Sequence, residues 1–414
     1  MNILLSAYAC RPNRGSELGV GWRWASELAL SGNDVWVLTR TIFRPFIEEE
    51  LQERPVERLR VIYYDPPAWI SANGAGIYLH YYAWQIGVLP IARTLCRSVR
   101  FHFVQHITLG VFRLPSFLPL LPVPFVFGPV GGGESAPAAL RREFPLRGRV
   151  IDCVRDVANW LANFDPFLRL LYRRATVILC KTKDTKNRIP RKYRHKAIVQ
   201  REIGIDEAHN APRAGARAGA SGDAYKVLYV GRLIYWKGLH LGLAAFAKLI
   251  TDRPDAELTV VGSGPDGDWL KARARALGLD TCIQWLDRVE HAELLRRYAD
   301  FDVFLFPSLH DSSGNVVLEA MRGGLPVICL DLGGPPTMVD ETCGRVVSAR
   351  NSTPDQVIDD LHDALARFAR DTEYRKRCSD GAIRKAGSMS WRDTVVGACD
   401  SIRQWLPNGR ADQE

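Results

Sequence analysis

The 414 residues contain no uninterrupted apolar run long enough to cross a bilayer as a helix. The longest candidate, Phe117 to Val130, is cut by Pro119, Pro122, Pro124 and Pro129. No basic residue precedes the apolar start MNILLSAYAC, so a secretory signal is not expected. Nine cysteines are present, but none is spaced as CxxC. Their odd number and irregular spacing argue against a disulfide framework or a zinc site and fit free thiols in a reducing compartment. A cytoplasmic protein is therefore expected. Tandem repeats, heptads and low-complexity tracts are also missing.

What remains is a globular composition, 47% apolar and 24% charged, which excludes disorder as the main state. The length favours two or three domains. Charge is spread unevenly. Residues 1–205 hold 29 Lys+Arg against 16 Asp+Glu, a net of +13, whereas the remainder holds 26 against 30, a net of −4. A basic half suits an anionic membrane surface, a phosphorylated acceptor, a nucleic acid, or a solvated face with no partner. It carries no RNA- or DNA-recognition motif, so no nucleic acid is expected as a partner. Tyr78–Trp84, YLHYYAW, with Arg93, Arg97 and Arg100 after it, combines the aromatics and cations of a headgroup-level surface. Peripheral contact with the inner face of the plasma membrane is the expectation it supports. Core packing beside a solvated edge would give the same pattern.

Short runs rich in Val, Ile and Phe recur at Asn2–Ala9, Asp34–Thr39, Leu59–Tyr64, Phe101–His106, Val123–Val130, Ala175–Lys181 and Ala197–Glu202. They alternate little, as strands buried on both faces of a parallel sheet do. Amphipathic segments separate them, such as Glu17–Leu30, closed by Gly32. Pro212–Gly222, PRAGARAGASG, reads as a linker or surface loop. Beyond it the alternation resumes, with strands at Lys226–Val230, Glu257–Val261, Ile283–Leu286, Val303–Phe306 and Pro326–Leu330, and helices between them. A helix is also expected at Ser135–Arg142, and Thr353–Leu406 reads as helical throughout. The fold class is α/β with two doubly wound domains, whose ligands would bind at the C-terminal strand ends, in the cleft between the sheets.

Two loops carry the chemistry. Gly231-Arg232-Leu233-Ile234-Tyr235-Trp236-Lys237-Gly238 follows a strand and opens a helix. Arg232 and Lys237 bring a fork and a point charge beside a helix N-terminus, the parts of a diphosphate clamp. A basic turn without a ligand would look alike. Pro307 to Met321, PSLHDSSGNVVLEAM, places Asp311 in a Ser/Gly loop and Glu319 inside the following apolar helix. The amides of Ser313, Gly314, Asn315 and Val316 would face an anion; a buried Glu319 would need polar partners, which two ribose hydroxyls would supply. Helix capping beside a surface glutamate is the simpler alternative.

Together, GRLIYWKG, VGSGP (Val261–Pro265), the PSLHDSSGNVVLEAMRGGLPVI block and the N-terminal RGSELGVGW loop resemble the retaining glycosyltransferases of family 4. The resemblance covers essentially the whole chain. It implies the GT-B fold: two facing Rossmann-like domains around a cleft, with the last helix returning to the first. Residues 1–205 would form the acceptor domain, 206–388 the nucleotide-sugar donor domain, and 389–414 the returning helix. Arg232 and Lys237 would bind the diphosphate. Glu319 matches the second Glu of the family's Glu-seven residues-Glu motif and would hold the ribose. Asp311 stands where the family has the first Glu, which contacts the donor sugar; here it is one methylene shorter. Gly314, Asn315 and Val316 would face phosphate, Ser263 and Gly264 would line the same cleft, and Arg288 and Val289 would meet the base. Gly15 and Ser16, in the turn after the first strand, would lie near the donor. His106 is the best match to a histidine near the transferred sugar. Gly132 and Glu134 are further cleft candidates.

The implied reaction is metal-independent transfer of a sugar, with retention, from a UDP- or GDP-linked donor to a glycan or lipid-linked acceptor in cell-surface polysaccharide synthesis. No metal and no cofactor is called for, the nucleotide-sugar being a substrate. A nucleotide-sugar epimerase of the same architecture and a nucleotide-sugar binding protein with impaired catalysis are the alternatives.

Overall fold

The computed structural model describes residues 1–70, 76–206 and 224–407. The expected linker at Pro212–Gly222 lies outside the described residues. The chain divides into two compact units. The first comprises Met1–Gly133, Val157–Gly204 and the chain from Trp391 on; the second comprises Glu134–Asp156 and Ile205–Ser390.

The first unit is built on a seven-stranded parallel sheet of β1 (Asn2–Ser6), β2 (Asp34–Thr39), β3 (Leu59–Tyr63), β4 (Phe103–His106), β5 (Phe125–Val130), β6 (Ala175–Cys180) and β7 (Ala197–Val199). Their spatial order is β3-β2-β1-β4-β5-β6-β7. Each expected run became a strand. The strands trim to the residues that pair, because the run ends are already turning into loops. Around the sheet lie α1 (Ser16–Leu30), α2 (Arg44–Glu53), α3 (Gly76–Ser98), α4 (Leu146–Leu161), α5 (Pro166–Arg174) and α6 (Lys183–Arg188). The division between units falls inside α4. Helix α1 packs tightly on the β1 turn: a Cβ on Gly21 would stand 2.0 Å from the Ala9 carbonyl oxygen. A leucine, tyrosine and phenylalanine cluster that includes Leu4, Tyr8, Tyr81, Trp84, Phe125 and Phe127 forms the core.

The second unit has a six-stranded parallel sheet: β8 (Lys226–Val230), β9 (Glu257–Val261), β10 (Ile283–Leu286), β11 (Val303–Phe306), β12 (Val327–Leu330) and β13 (Gly344–Val347). Strand order is β10-β9-β8-β11-β12-β13. Strand β13 was not expected, since GRVV is short, carries an exposed Arg345 and follows a polar turn; pairing with β12 makes it a strand. Its helices are α7 (Leu239–Asp252), α8 (Gly267–Ala276), α9 (His291–Arg297), α10 (Asn315–Arg322), α11 (Pro354–Arg370) and α12 (Thr372–Gly387). The last helix, α13 (Trp391–Arg403), packs on α1 in the first unit.

Three expectations are corrected. The tail, expected to be helical throughout, is three helices with breaks between them; Asp371 accepts from the Tyr374 N–H and starts α12 afresh. A helix over Ser135–Arg142 does not form; only a short 3-10 turn, Leu140–Glu143, is present, as Pro137 disfavours helical backbone at Ala136 and its carbonyl accepts from the Leu140 N–H. Glu134–Asp156, placed by sequence within 1–205, packs with the second unit. Leu140 and Phe144 join that unit's core, and Phe144 lies 4.8 Å edge-on to Tyr235.

Candidate functional site

In the second sheet the order of strands reverses between β8 and β11. Loops leaving the C-terminal strand ends at such a reversal run to opposite sides and open a crevice. Both chemistry-bearing loops arise there, Gly231–Gly238 after β8 and Pro307–Gly314 after β11. The two are joined backbone to backbone. The Leu309 N–H donates to the Trp236 carbonyl at 2.9 Å. Gly238, at φ +69, comes so close that a Cβ would stand 1.8 Å from the Pro307 carbonyl oxygen. Only glycine fits this approach.

Lys237 and Asp311 meet across the reversal. The Lys237 ammonium forms an ion pair with the Asp311 carboxylate, and both are largely buried. That ammonium lies 5.1 Å from the centre of the Phe306 ring. Asp311 Oδ1 also accepts from the N–H groups of Ser313 at 3.3 Å and Gly314 at 3.1 Å. A carboxylate thus occupies the point where an ammonium and the amides before α10 converge. That is where an anion is best stabilised. Gly314 caps α10 at φ +73, and Asn315 and Val316 open the helix, where N–H groups have no intrahelical acceptor.

Glu319 lies one turn into α10 and is held from two sides. His291 donates from Nε2 to Oε1 at 3.1 Å, and the Tyr298 hydroxyl donates to Oε2 at 3.4 Å. The bond to Glu319 raises the His291 pKa above its ordinary value. Burial, reinforced by the Glu319 charge, pushes Tyr298 well above its own. Sequence reasoning missed both partners. His291 opens a helix and Tyr298 ends a polar one, so neither position carried a motif.

The remaining expected residues are placed as follows. Arg232 is exposed. Ser263 is exposed, and its carbonyl accepts from the Leu233 N–H at 3.0 Å; Gly264 packs against the Leu233 carbonyl. Both therefore adjoin the β8 loop. Arg288 is exposed and Val289 half-buried, on the loop after the edge strand β10. A further polar group was not foreseen. Arg155 Nη1 lies 3.1 and 3.2 Å from the two ring nitrogens of His310, the neighbour of Asp311. Arg155 also pairs with the buried Asp152, which accepts from the Tyr235 hydroxyl at 2.9 Å. Its signal in the sequence was faint, since Asp152 and Arg155 lie in a stretch assigned to the other domain.

In the first unit the strand order reverses between β1 and β4. His106 ends β4 and is fully buried. Its Nδ1 faces Ser6 Oγ at 3.4 Å and Gln85 at 3.5 Å, and its Nε2 faces the Tyr81 hydroxyl at 3.3 Å. Burial pushes its pKa down to about 3, so the ring is neutral. Gly15 is the exposed N-cap of α1, and Ser16 is the first residue of that helix. Gly132 has φ +87 and faces Val111; Glu134 is buried and belongs to the second unit. Of the aromatic stretch, Tyr81 and Trp84 are core, whereas Tyr78, Leu79, Arg93, Arg97 and Arg100 are exposed. Among the described residues, no cluster of three or more His, Cys, Asp or Glu side chains could hold a metal ion, and no helix is long and apolar enough to cross a membrane.

Residues 214–385 match the family model described as glycosyl transferases group 1. A D-inositol 3-phosphate glycosyltransferase of Corynebacterium glutamicum (strain R) is 32% identical over 195 residues, 45% of this chain and 45% of that protein. The chain thus spans about half the length of the curated relatives it matches first. Among solved structures, sucrose-phosphate synthase from Thermosynechococcus elongatus superposes with a TM-score of 0.64 at 16% identity, covering 97% of this chain and 98% of that one. HepE of Anabaena, in complex with UDP and glucose, gives 0.62 at 15%, covering 97% and 99%. These likenesses establish the fold: GT-B, with two parallel-sheet Rossmann-like domains.

Proposed function

We propose that the chain is a retaining glycosyltransferase. It moves a sugar from a UDP- or GDP-linked donor to a hydroxyl of a glycan or lipid-linked acceptor in cell-surface polysaccharide synthesis. The observation that carries this reading is the convergence of Lys237, Asp311 and the start of α10 at a strand-order reversal, inside the stretch that matches the glycosyl transferases group 1 model.

Asp311 lies where Lys237 and the N–H groups before α10 converge, and the diphosphate binds at that point. Donor binding exchanges partners: the diphosphate takes Lys237 and the α10 amides, and the freed Asp311 turns to the sugar hydroxyls. Arg232, exposed at the end of β8, closes on the same phosphates. As the anomeric C–O bond breaks, negative charge grows on the diphosphate oxygen, where a preset ammonium, guanidinium and amide dipoles stabilise it most. These charges supply the stabilisation without a metal ion. The departing phosphate accepts the acceptor's proton on the face it leaves, which retains configuration. Glu319 accepts from the ribose hydroxyls, in the orientation fixed by Tyr298. Ser263, Gly264, Arg288 and Val289 flank the nucleotide. His106, sealed from solvent, acts by supporting the end of β4.

A thermal-shift panel of UDP, GDP and their sugars tests the reading, because a ligand that binds only the folded state raises the midpoint. One diphosphate and its sugars should stabilise the protein, and UDP is the first to try, given the Anabaena complex. Incubation of the stabilising nucleotide-sugar with glycan acceptors should then release free nucleoside diphosphate. An epimerase would leave nucleotide and sugar joined. No shift with any of the panel would sink the proposal.

A further inference from the structure

Helix α4 is built inside out. Leu146, Val150, Val154, Val157 and Leu161 recur at spacings of four, four, three and four, which places them on one face. All five are exposed, Leu146 by 77% and Val154 by 64%. Trp160 beside them is exposed by 60%, and the stripe continues into Phe164 and Phe167, both more than half exposed. The opposite face of the same helix is the polar one. It buries Asp152 and Asn159 and half-buries Arg155 and Asp156, which are held by Tyr235, Arg113, His310 and Arg141 in turn. Core formation explains the buried polar face no better than it explains the apolar one. A contiguous exposed stripe of this kind marks an interaction surface.

The turn that follows is rigid. Asp165 caps α5 by accepting from the N–H groups of Phe167 at 2.7 Å and Leu168 at 3.2 Å. Trp160 and Phe164 stack edge to face at 4.9 Å, and Phe167 lies 5.4 Å from Phe117. The Arg169 guanidinium stands 6.0 Å over the Phe164 ring, and its Nε donates to the Asn163 carbonyl. Exposed cations border the stripe: Arg147 and Arg149 at its start, and Arg169, Arg173 and Arg174 along α5.

We propose that α4 and the start of α5 lie in the headgroup layer of an anionic membrane. The apolar stripe and the Trp160–Phe164–Phe167 tip enter the acyl boundary, while the flanking arginines meet lipid phosphates. A helix with large aliphatic and aromatic residues on one side and arginines at its borders is the geometry that partitions into an interface. The charge of the first 205 residues, +13, has the complementary sign. A second copy of the chain fits less well, since it would bring the same arginines against one another. This surface does not depend on the activity proposed above, and its test needs no nucleotide.

The full chain is floated with vesicles of phosphatidylcholine, with and without phosphatidylglycerol. Binding to the anionic vesicles at low salt is expected, with release as the screening length shrinks from ~10 to ~3 Å. Val157→Glu with Leu161→Glu, at exposed positions, should weaken partitioning about tenfold or more, or about 1.4 kcal/mol. Thermal unfolding should match the parent. A blue shift of tryptophan emission on vesicle addition should shrink in Trp160→Phe, which removes only the reporter. Absence of wild-type binding, or undiminished binding by the double variant, overturns the proposal. So does self-association, seen without vesicles and lost in the double variant, which would give the stripe to a second copy.

Discussion

Single side chains decide whether this site accepts an anion. Glu319 shares its carboxylate between His291 and Tyr298. If ribose hydroxyls take its oxygens, Glu319→Ala should weaken nucleotide binding about tenfold to a hundredfold, the cost of hydrogen bonds to a charged group. Calorimetric titration reads this directly. The same contact predicts a pH dependence. His291 has a raised pKa because its proton is held by Glu319, with Asp206 adding attraction. The charge-assisted part of the His291–Glu319 contact is therefore complete at low pH and is lost as pH rises through the raised His291 value. Ribose competes for Glu319, so nucleotide affinity should rise with pH across that window, and His291→Asn should flatten the profile. An affinity independent of pH in the parent would remove the competition.

Elements bring those side chains together, and glycines set how closely. Gly238 and Gly15 make a paired test. Alanine at Gly238 would face a positive φ and a carbonyl oxygen within bonding distance, and should cost about 2–4 kcal/mol in urea unfolding. Alanine at Gly15, where φ is −80 and nothing lies within 4 Å of a Cβ, should change stability by less than ~0.5 kcal/mol. Elements also explain what was legible beforehand. Buried parallel strands are written as dense Val, Ile and Phe runs, so β1 through β12 could be read, whereas β13 with its exposed Arg345 could not. The Lys237 and Asp311 loops could be read because short motifs follow strands directly. The His291, Tyr298 and Arg155 contacts could not, since they depend on which helices the sheet order brings side by side. Membership of Glu134–Asp156 in the second unit was hidden for the same reason. Phe144 and Leu140 read as ordinary apolar residues until Tyr235 is seen against them.

At the scale of the molecule, two sealed histidines tie stability to acidity. Burial pushes His106 and His240 down to about 3, and nearby Arg273 adds to the effect at His240. Both stay neutral when folded and take up a proton when unfolded below about 6.5. The unfolded chain thus binds more protons between those values. Stability is complete above about 6.5 and falls as pH drops toward about 3. Neither ring nitrogen of His240 has a hydrogen-bond partner among the described residues, and Phe144 and Trp269 surround the ring. His240→Phe should therefore unfold later than the parent at pH ~5 and lose less stability between pH ~7 and pH ~5. An unchanged slope would contradict the assignment.

The account rests on a diphosphate exchanging with Asp311 at Lys237. Calorimetric titration of UDP and GDP into the parent and into Lys237→Ala measures this most directly. At least one nucleotide should bind the parent and lose about a hundredfold or more in affinity with the variant, in line with the loss of a buried charged partner. Equal affinity in the two proteins, or no binding of either nucleotide to the parent, would contradict it.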